Sequence, residues 1–105
     1  MPPIANTPQP PYYAVVFTST RAEGDLGYAD AANRMVDLAE QQSGFLGIES
    51  AREEVGITVS YWSDVESIKK WKANAEHREV QMQGHKLWYD SFKVRICKVE
   101  RDYGV

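Results

Sequence analysis

Three features of the 105-residue chain predict an α+β fold of order β-α-β-β-α-β. β-Branched and aromatic runs stand near its two ends, two short strand-like runs lie at its centre, and a stretch of helical periodicity fills each gap. A hairpin between two helical crossovers gives the ferredoxin-like, split β-α-β arrangement: an antiparallel four-stranded sheet with both helices on one face. The other face then lacks a cover, and a second copy of the chain is the expected partner for it.

Each element has its own signal. Residues 1–11 hold all five prolines, Pro2, Pro3, Pro8, Pro10 and Pro11, which remove backbone donors and bias the preceding residues to extended backbone. This proline-rich arm is expected outside the core and dispensable for folding, with the domain proper spanning 12–105. From Tyr12 the run Tyr-Tyr-Ala-Val-Val-Phe-Thr-Ser-Thr reads as a strand over 12–20. The turn residues Glu23 to Gly27 lead into Tyr28, Ala32, Met35, Val36 and Ala39 at three- and four-residue spacing, an amphipathic helix over 26–42 that Gly44 closes. Phe45 to Glu53 and Gly56 to Trp62 form the hairpin, with Ile57, Val59 and Tyr61 on one face and Thr58, Ser60 and Trp62 on the other. Ser63 to Glu66 matches a capping box and starts a second helix at Asp64. Val65, Ile68, Trp71 and Ala75 carry its apolar stripe, with a kink near Asn74 and a further helical stretch to Met82. Ser91 to Arg101 alternates as a last strand whose phase shifts at Cys97, the position expected for a bulge.

Composition excludes several classes. Twelve Lys and Arg against fifteen Asp and Glu give a net charge of −3 with mixed signs, so no basic footprint for nucleic acid or anionic lipid exists. No apolar run reaches the roughly 18 residues of a membrane span, and the N-terminus lacks the pattern of a signal peptide. The lone Cys97 excludes an internal disulfide and fits a reducing compartment, so the expected location is cytoplasmic. In mid-strand it reads as a buried, inert thiol. His77 and His85 are eight apart, a poor match to any metal signature, and no glycine-rich phosphate loop is present. Neither a metal nor a cofactor is expected.

The densest cluster of aromatic and titratable groups is Tyr61-Trp62, Trp71, His77, His85 and Trp88-Tyr89. Tyr61, Trp62 and Trp88 are the candidate substrate-binding residues. Trp71 and His77 are the candidate catalytic pair, a flat wall beside an imidazole able to exchange a proton near neutral pH. Six residues apart, they lie about 120° from one another on a continuous helix and meet only if the helix breaks between them. The alternative for the same residues is a core Trp71 and a solvated His77.

Four segments, Gly44-Phe-Leu-Gly, Gly56-Ile-Thr-Val-Ser-Tyr-Trp, Trp71-Lys-Ala-Asn-Ala-Glu-His77 and Lys93 to Tyr103, together resemble the antibiotic biosynthesis monooxygenase family of dimeric α+β barrels. The similarity runs from Tyr13 to Tyr103. It implies a homodimer and, among the family's activities, a cofactor-independent oxygenase acting on a small aromatic or polycyclic phenol or quinol. Haem-degrading members carry an Asn on the first strand, a Trp, and a His ten residues after it; here Thr18 or Ser19, Trp71 and Gln81 stand there, which argues against haem degradation. Polyketide oxygenases carry an Asn where Ser60 falls, making Ser60 a third candidate catalytic residue, although a hydroxyl cannot reproduce an amide that donates and accepts together. The competing class is a non-catalytic, small-ligand-binding or stress-related barrel protein.

Overall fold

In the computed structural model the described residues are 3–21, 28–82 and 89–105, with their side chains except those of Tyr28, Ala29, Ala31 and residues 76–82. The elements are β1 (Tyr12–Arg21), α1 (Tyr28–Glu40), β2 (Phe45–Arg52), β3 (Val55–Trp62), α2 (Val65–Met82) and β4 (Tyr89–Val99). The strands form one antiparallel sheet in the order β2-β3-β1-β4. The predicted class and order hold. The turn at Glu23 to Gly27 lies outside the described residues.

The register decides which side chains share a face, because directly paired residues of antiparallel strands point the same way. One face carries the rows Phe45–Trp62–Tyr13–Lys98, Ile48–Ser60–Val15–Ile96, Ser50–Thr58–Phe17–Val94 and Arg52–Gly56–Ser19–Phe92. Trp62 on this face stacks on Trp71 of α2 at 6.0 Å between ring centroids, which makes it the helix side. Asn74 Nδ2 of α2 donates to Gln42 Oε1 just beyond α1, tying the two helices together. The opposite face carries Tyr12, Ala14, Val16, Val59, Tyr61 and Ile57 and is free of helices. Among the described residues Tyr12, Ala14, Ala39, Trp62 and Ile68 are the buried apolar ones, while Val55 and Ile57 on the helix-free side are about half exposed.

Several local expectations change. None of the arm residues 3–11 is buried, yet the arm is bonded to the sheet. The Ala5 amide donates to Glu49 Oε2 at 3.0 Å and Thr7 Oγ1 donates to the Tyr12 hydroxyl at 3.0 Å, so the arm lies across one end of the helix-free face and shields Tyr12. Chain constraint by proline did not prevent docking, because the arm bonds through its non-proline residues. β4 holds regular register through Cys97, Lys98 and Val99, and its irregularity sits at the other end, opposite Thr20 and Arg21. Cys97 is exposed on the helix-free face rather than buried, because β4 is an edge strand with no helix on that side.

The chain leaves α1 through Gly44 at φ +85°, a conformation that a side chain resists, and a Cβ there would also meet the Ser67 hydroxyl. The Ser63 amide donates to the Gly44 carbonyl at 2.8 Å, closing the bottom of the sheet where α2 begins. The cap of α2 is Asp64, one residue later than the capping box implies: Asp64 Oδ1 accepts the Ser67 amide at 2.7 Å, and Ser63 Oγ donates to Oδ2. A carboxylate wins over the hydroxyl because it can accept both donors at once.

The Ser67 amide, above all, holds the Asp64 carboxyl below its ordinary pKa. A depressed folded-state pKa contributes stability above the unfolded value of about 4 and loses it as pH falls through the folded value. Asp64→Asn, which keeps the acceptor but cannot titrate, should therefore lose less melting temperature than the parent between pH 5 and pH 3 while remaining close to it at pH 7. Thermal scans at both ends of that window decide the point, and an identical acid loss in the two proteins would remove Asp64 from the account.

Candidate functional site

The candidate site is built on the helix side. Trp62 ends β3 with no accessible surface. Its indole is boxed by Phe45, edge-on at 5.4 Å, and by Trp71, stacked at 25° between ring planes. Its Nε1–H would be an orphan donor in such a place, and Ser60 Oγ, two residues back on the same face, accepts it at 2.9 Å. Ser60 is itself buried. Its hydroxyl therefore orients Trp62 in this structure. Trp71 is half-buried and presents the remaining ring surface of the stack.

Beside this stack the helix side continues onto β1 and β4. Phe17 stacks with Phe92 at 5.6 Å and 26°, and Tyr89 meets Phe17 edge-on at 5.4 Å. Phe92, Val94 and Ile96 remain 44–53% exposed, a continuous apolar floor that the described residues do not cover. At one end of the floor the Arg52 guanidinium crosses over Gly56 and donates to the buried Ser19 hydroxyl. A Cβ on Gly56 would collide with that guanidinium, so the glycine makes its path possible.

Tyr61 faces away from this surface. The pleat sends it to the helix-free side, where its hydroxyl donates to Glu49 Oε1 at 2.5 Å and its ring meets Tyr12 edge-on at 5.9 Å. Burial first, and then the Glu49 carboxylate, hold the Tyr61 phenol well above the ordinary tyrosine range. The bond to Asp102 at 2.5 Å raises Tyr12, against the opposing pull of Thr7. Both phenols thus stand as donors to these carboxylates.

The structure therefore brings together Ser60, Trp62 and Trp71 and separates Tyr61 from them. The reason is the two-residue period of a strand: adjacent positions cannot share a face. The break expected near Asn74 is absent, α2 running unbroken from Val65 to Met82. His77 consequently sits about 120° around the helix axis from Trp71, and its side chain, like Trp88 and His85 entirely, lies outside the described residues. Sequence reasoning missed Phe17, Phe92 and Arg52, which lie far apart in the chain. Only the registers of β2 with β3 and of β1 with β3 and β4 reveal their proximity. No group of three or more potential metal ligands occurs among the described residues. A cleft of about 320 Å³ lined by Ser19, Thr20, Phe92 and Lys93 reaches the end of the apolar floor, one of about 530 Å³ lies between the arm and β2, and neither is lined by Ser60, Trp62 or Trp71.

The sequence model of a family described as antibiotic biosynthesis monooxygenase matches residues 11–83. Over 100 residues the chain is 49% identical to uncharacterized protein YqjZ of Bacillus subtilis (strain 168), covering 93% of this chain and 88% of that one. Among solved structures it is similar to SnoaB from Streptomyces nogalater, a cofactor-independent oxygenase, with a TM-score of 0.71 at 11% identity over 89% of this chain and 97% of that one. It is also similar to PA3566 from Pseudomonas aeruginosa, with a TM-score of 0.67 at 16% identity over 91% and 99% of the two chains. At such identities these structures speak for the fold alone.

The aromatic stack carries a stability prediction. Trp62→Ala should cost about 3–5 kcal/mol, the range for emptying a fully enclosed large aromatic site, whereas Trp71→Ala should cost less because Trp71 is only half-buried. Urea unfolding of the two variants gives the comparison, and an equal or reversed order would show that Trp62 is not the anchor of the stack.

Proposed function

The chain belongs to the antibiotic biosynthesis monooxygenase family, and on that premise we propose that it is a cofactor-independent oxygenase acting on a small aromatic phenol or quinol bound on the helix side of the sheet. The observation that supports this reading is the apolar, aromatic floor of Phe17, Phe92, Val94 and Ile96, flanked by the Trp62–Trp71 stack. A ligand of flat, electron-rich rings is the chemical match for such a surface.

In this reading the protein supplies orientation and a water-poor setting, and the substrate itself reduces dioxygen. Loss of a proton gives the substrate anion, which passes electrons to dioxygen. For an anthrone-like ring the methylene becomes a carbonyl, one atom of dioxygen ending as the oxygen on that carbon and the other leaving as water with the two displaced hydrogens. Trp71 is the wall against which the ring lies. His77 is proposed as the proton acceptor on its titration range alone. Ser60 acts as a positioning residue through Trp62, since its hydroxyl already accepts the indole N–H. That occupied hydroxyl is also what favours the second reading, a binding module using the same surface without turnover.

We further propose a homodimer in the cytoplasm. Half-exposed Val55 and Ile57 on the helix-free face are what a second copy would cover, and the single cysteine fits a reducing compartment. No helix among the described residues is long and apolar enough to cross a membrane. Native mass spectrometry at low micromolar concentration should give twice 11.9 kDa; a monomer alone would refute the dimer.

Oxygen uptake with a panel of anthrone-like and quinol compounds tests the activity. At least one should be consumed faster with protein than without. Trp71→Ala should raise KM about tenfold or more through lost contact area with a smaller change in kcat, and His77→Ala should lower kcat and flatten the pH profile near the imidazole range. Ligand binding without oxygen uptake across the panel would support the binding module instead.

A further inference from the structure

A cleft of about 530 Å³ runs between the arm and β2, at the edge of the sheet opposite the Phe17–Phe92 floor. Its walls are Ala5 and Asn6 of the arm, Glu40 at the end of α1, and Phe45 to Ile48 of β2. The arm is held where it forms one wall: the Ala5 amide is bonded to Glu49, and Gly47 lets the Ala5 methyl come so close that a Cβ there would stand 2.8 Å from it. The β2–β3 register slips between Phe45 and Gly47, so Leu46 is the extra residue of a bulge at the same place. Phe45, Leu46 and Ile48, each half-buried, give the cleft apolar walls.

Among the described residues the charged group of this lining is Glu40, and no cation accompanies it. A carboxylate is the wrong sign for that position. The unpaired carbonyls at a helix C-terminus carry partial negative charge and favour Lys, Arg or His, yet the last turn of α1 has no basic residue. An ammonium group seated here offsets both the carboxylate and the helix end, and the Asn6 amide oxygen is a second acceptor for its three donors. The apolar walls suit the rest of such a molecule. We infer that this cleft is a further binding site, for a small organic ammonium ion with an apolar body, and that the proline-rich arm is its outer wall. Phe45, which boxes Trp62, is the residue it shares with the aromatic stack, so the inference stands apart from the oxygenase reading.

Protonated phenethylamine and its neutral counterpart, phenethyl alcohol, titrated at pH 7 into the isotope-labelled full chain and followed by backbone amide NMR, test the site. With the amine, shifts should centre on Ala5, Asn6, Leu46 and Gly47, with a dissociation constant of about 1 mM or tighter. The alcohol should bind about fivefold more weakly, the scale of one exposed charge pair. Glu40→Gln should bring the two ligands within about twofold of each other, whereas Glu53→Gln, which removes a carboxylate beyond the far end of β2, should leave the preference intact. Gly47→Ala, which pushes the arm outward at Ala5, should weaken both ligands and keep the preference. Equal binding of amine and alcohol by the wild-type protein, a preference that survives in Glu40→Gln, shifts centred elsewhere, or no binding of the amine up to about 10 mM overturns the site. Unchanged affinity for both ligands in Gly47→Ala overturns the part given to the arm.

Discussion

An indole with no accessible surface needs apolar cover on both sides and a partner for its N–H, and burying Trp62 meets these needs only if several elements converge on the end of β3. Phe45 at the start of β2 supplies one side, Trp71 of α2 supplies the other, and Ser60 takes the N–H. The consequences spread outward. Trp71 can reach Trp62 only if α2 turns back over the sheet directly after β3, which the Asp64 cap and the Ser63–Gly44 backbone bond arrange within three residues. Gly44 in turn must adopt a left-handed backbone and carry no side chain, since Ser67 of α2 sits against it. The helix layer is thus hung from the β2–β3 half of the sheet, and the β1–β4 half keeps its apolar side chains accessible.

The helix-free face is organised by different chemistry. Two phenols, Tyr12 and Tyr61, stand edge to face, and each donates to a carboxylate: Tyr12 to Asp102 beyond β4, Tyr61 to Glu49 on β2. Glu49 also accepts the Ala5 amide, and Tyr12 also accepts from Thr7. The arm and the segment after β4 are thereby joined to the sheet through a few charge-assisted bonds rather than through apolar area. This covers only the Tyr12 end of the face. The Val55 and Ile57 end keeps its apolar surface, so the two ends differ in chemistry.

On the helix side the separation of tasks is equally physical. Trp62 is too deeply buried to touch a ligand and serves as backing for Trp71. Ser60 spends its hydroxyl on that backing. Whatever chemistry occurs at this surface must therefore draw its polar contacts from elsewhere.

The order of elements, the hairpin, the strand boundaries to within a few residues and the family were all legible in the sequence. They depend on local signals: period-two and period-3.6 apolar patterns, turn residues, and short motifs around Trp62 and Trp71. The same local reading separated Ile57, Val59 and Tyr61 from Thr58, Ser60 and Trp62, but not which set would meet the helices. The more apolar set turned out to be on the helix-free side, because one tryptophan buried against another outweighs several half-exposed aliphatic side chains. Density along the chain grouped Tyr61 with Trp62, and the pleat parted them. The docked arm, the one-residue move of the α2 cap, the exposed Cys97 and the meeting of Arg52, Ser19, Phe17 and Phe92 were decided by tertiary structure alone. Each depends on partners 33 or more residues apart or on a competition between neighbouring acceptors, and strand register, not sequence proximity, sets which of those partners come within reach.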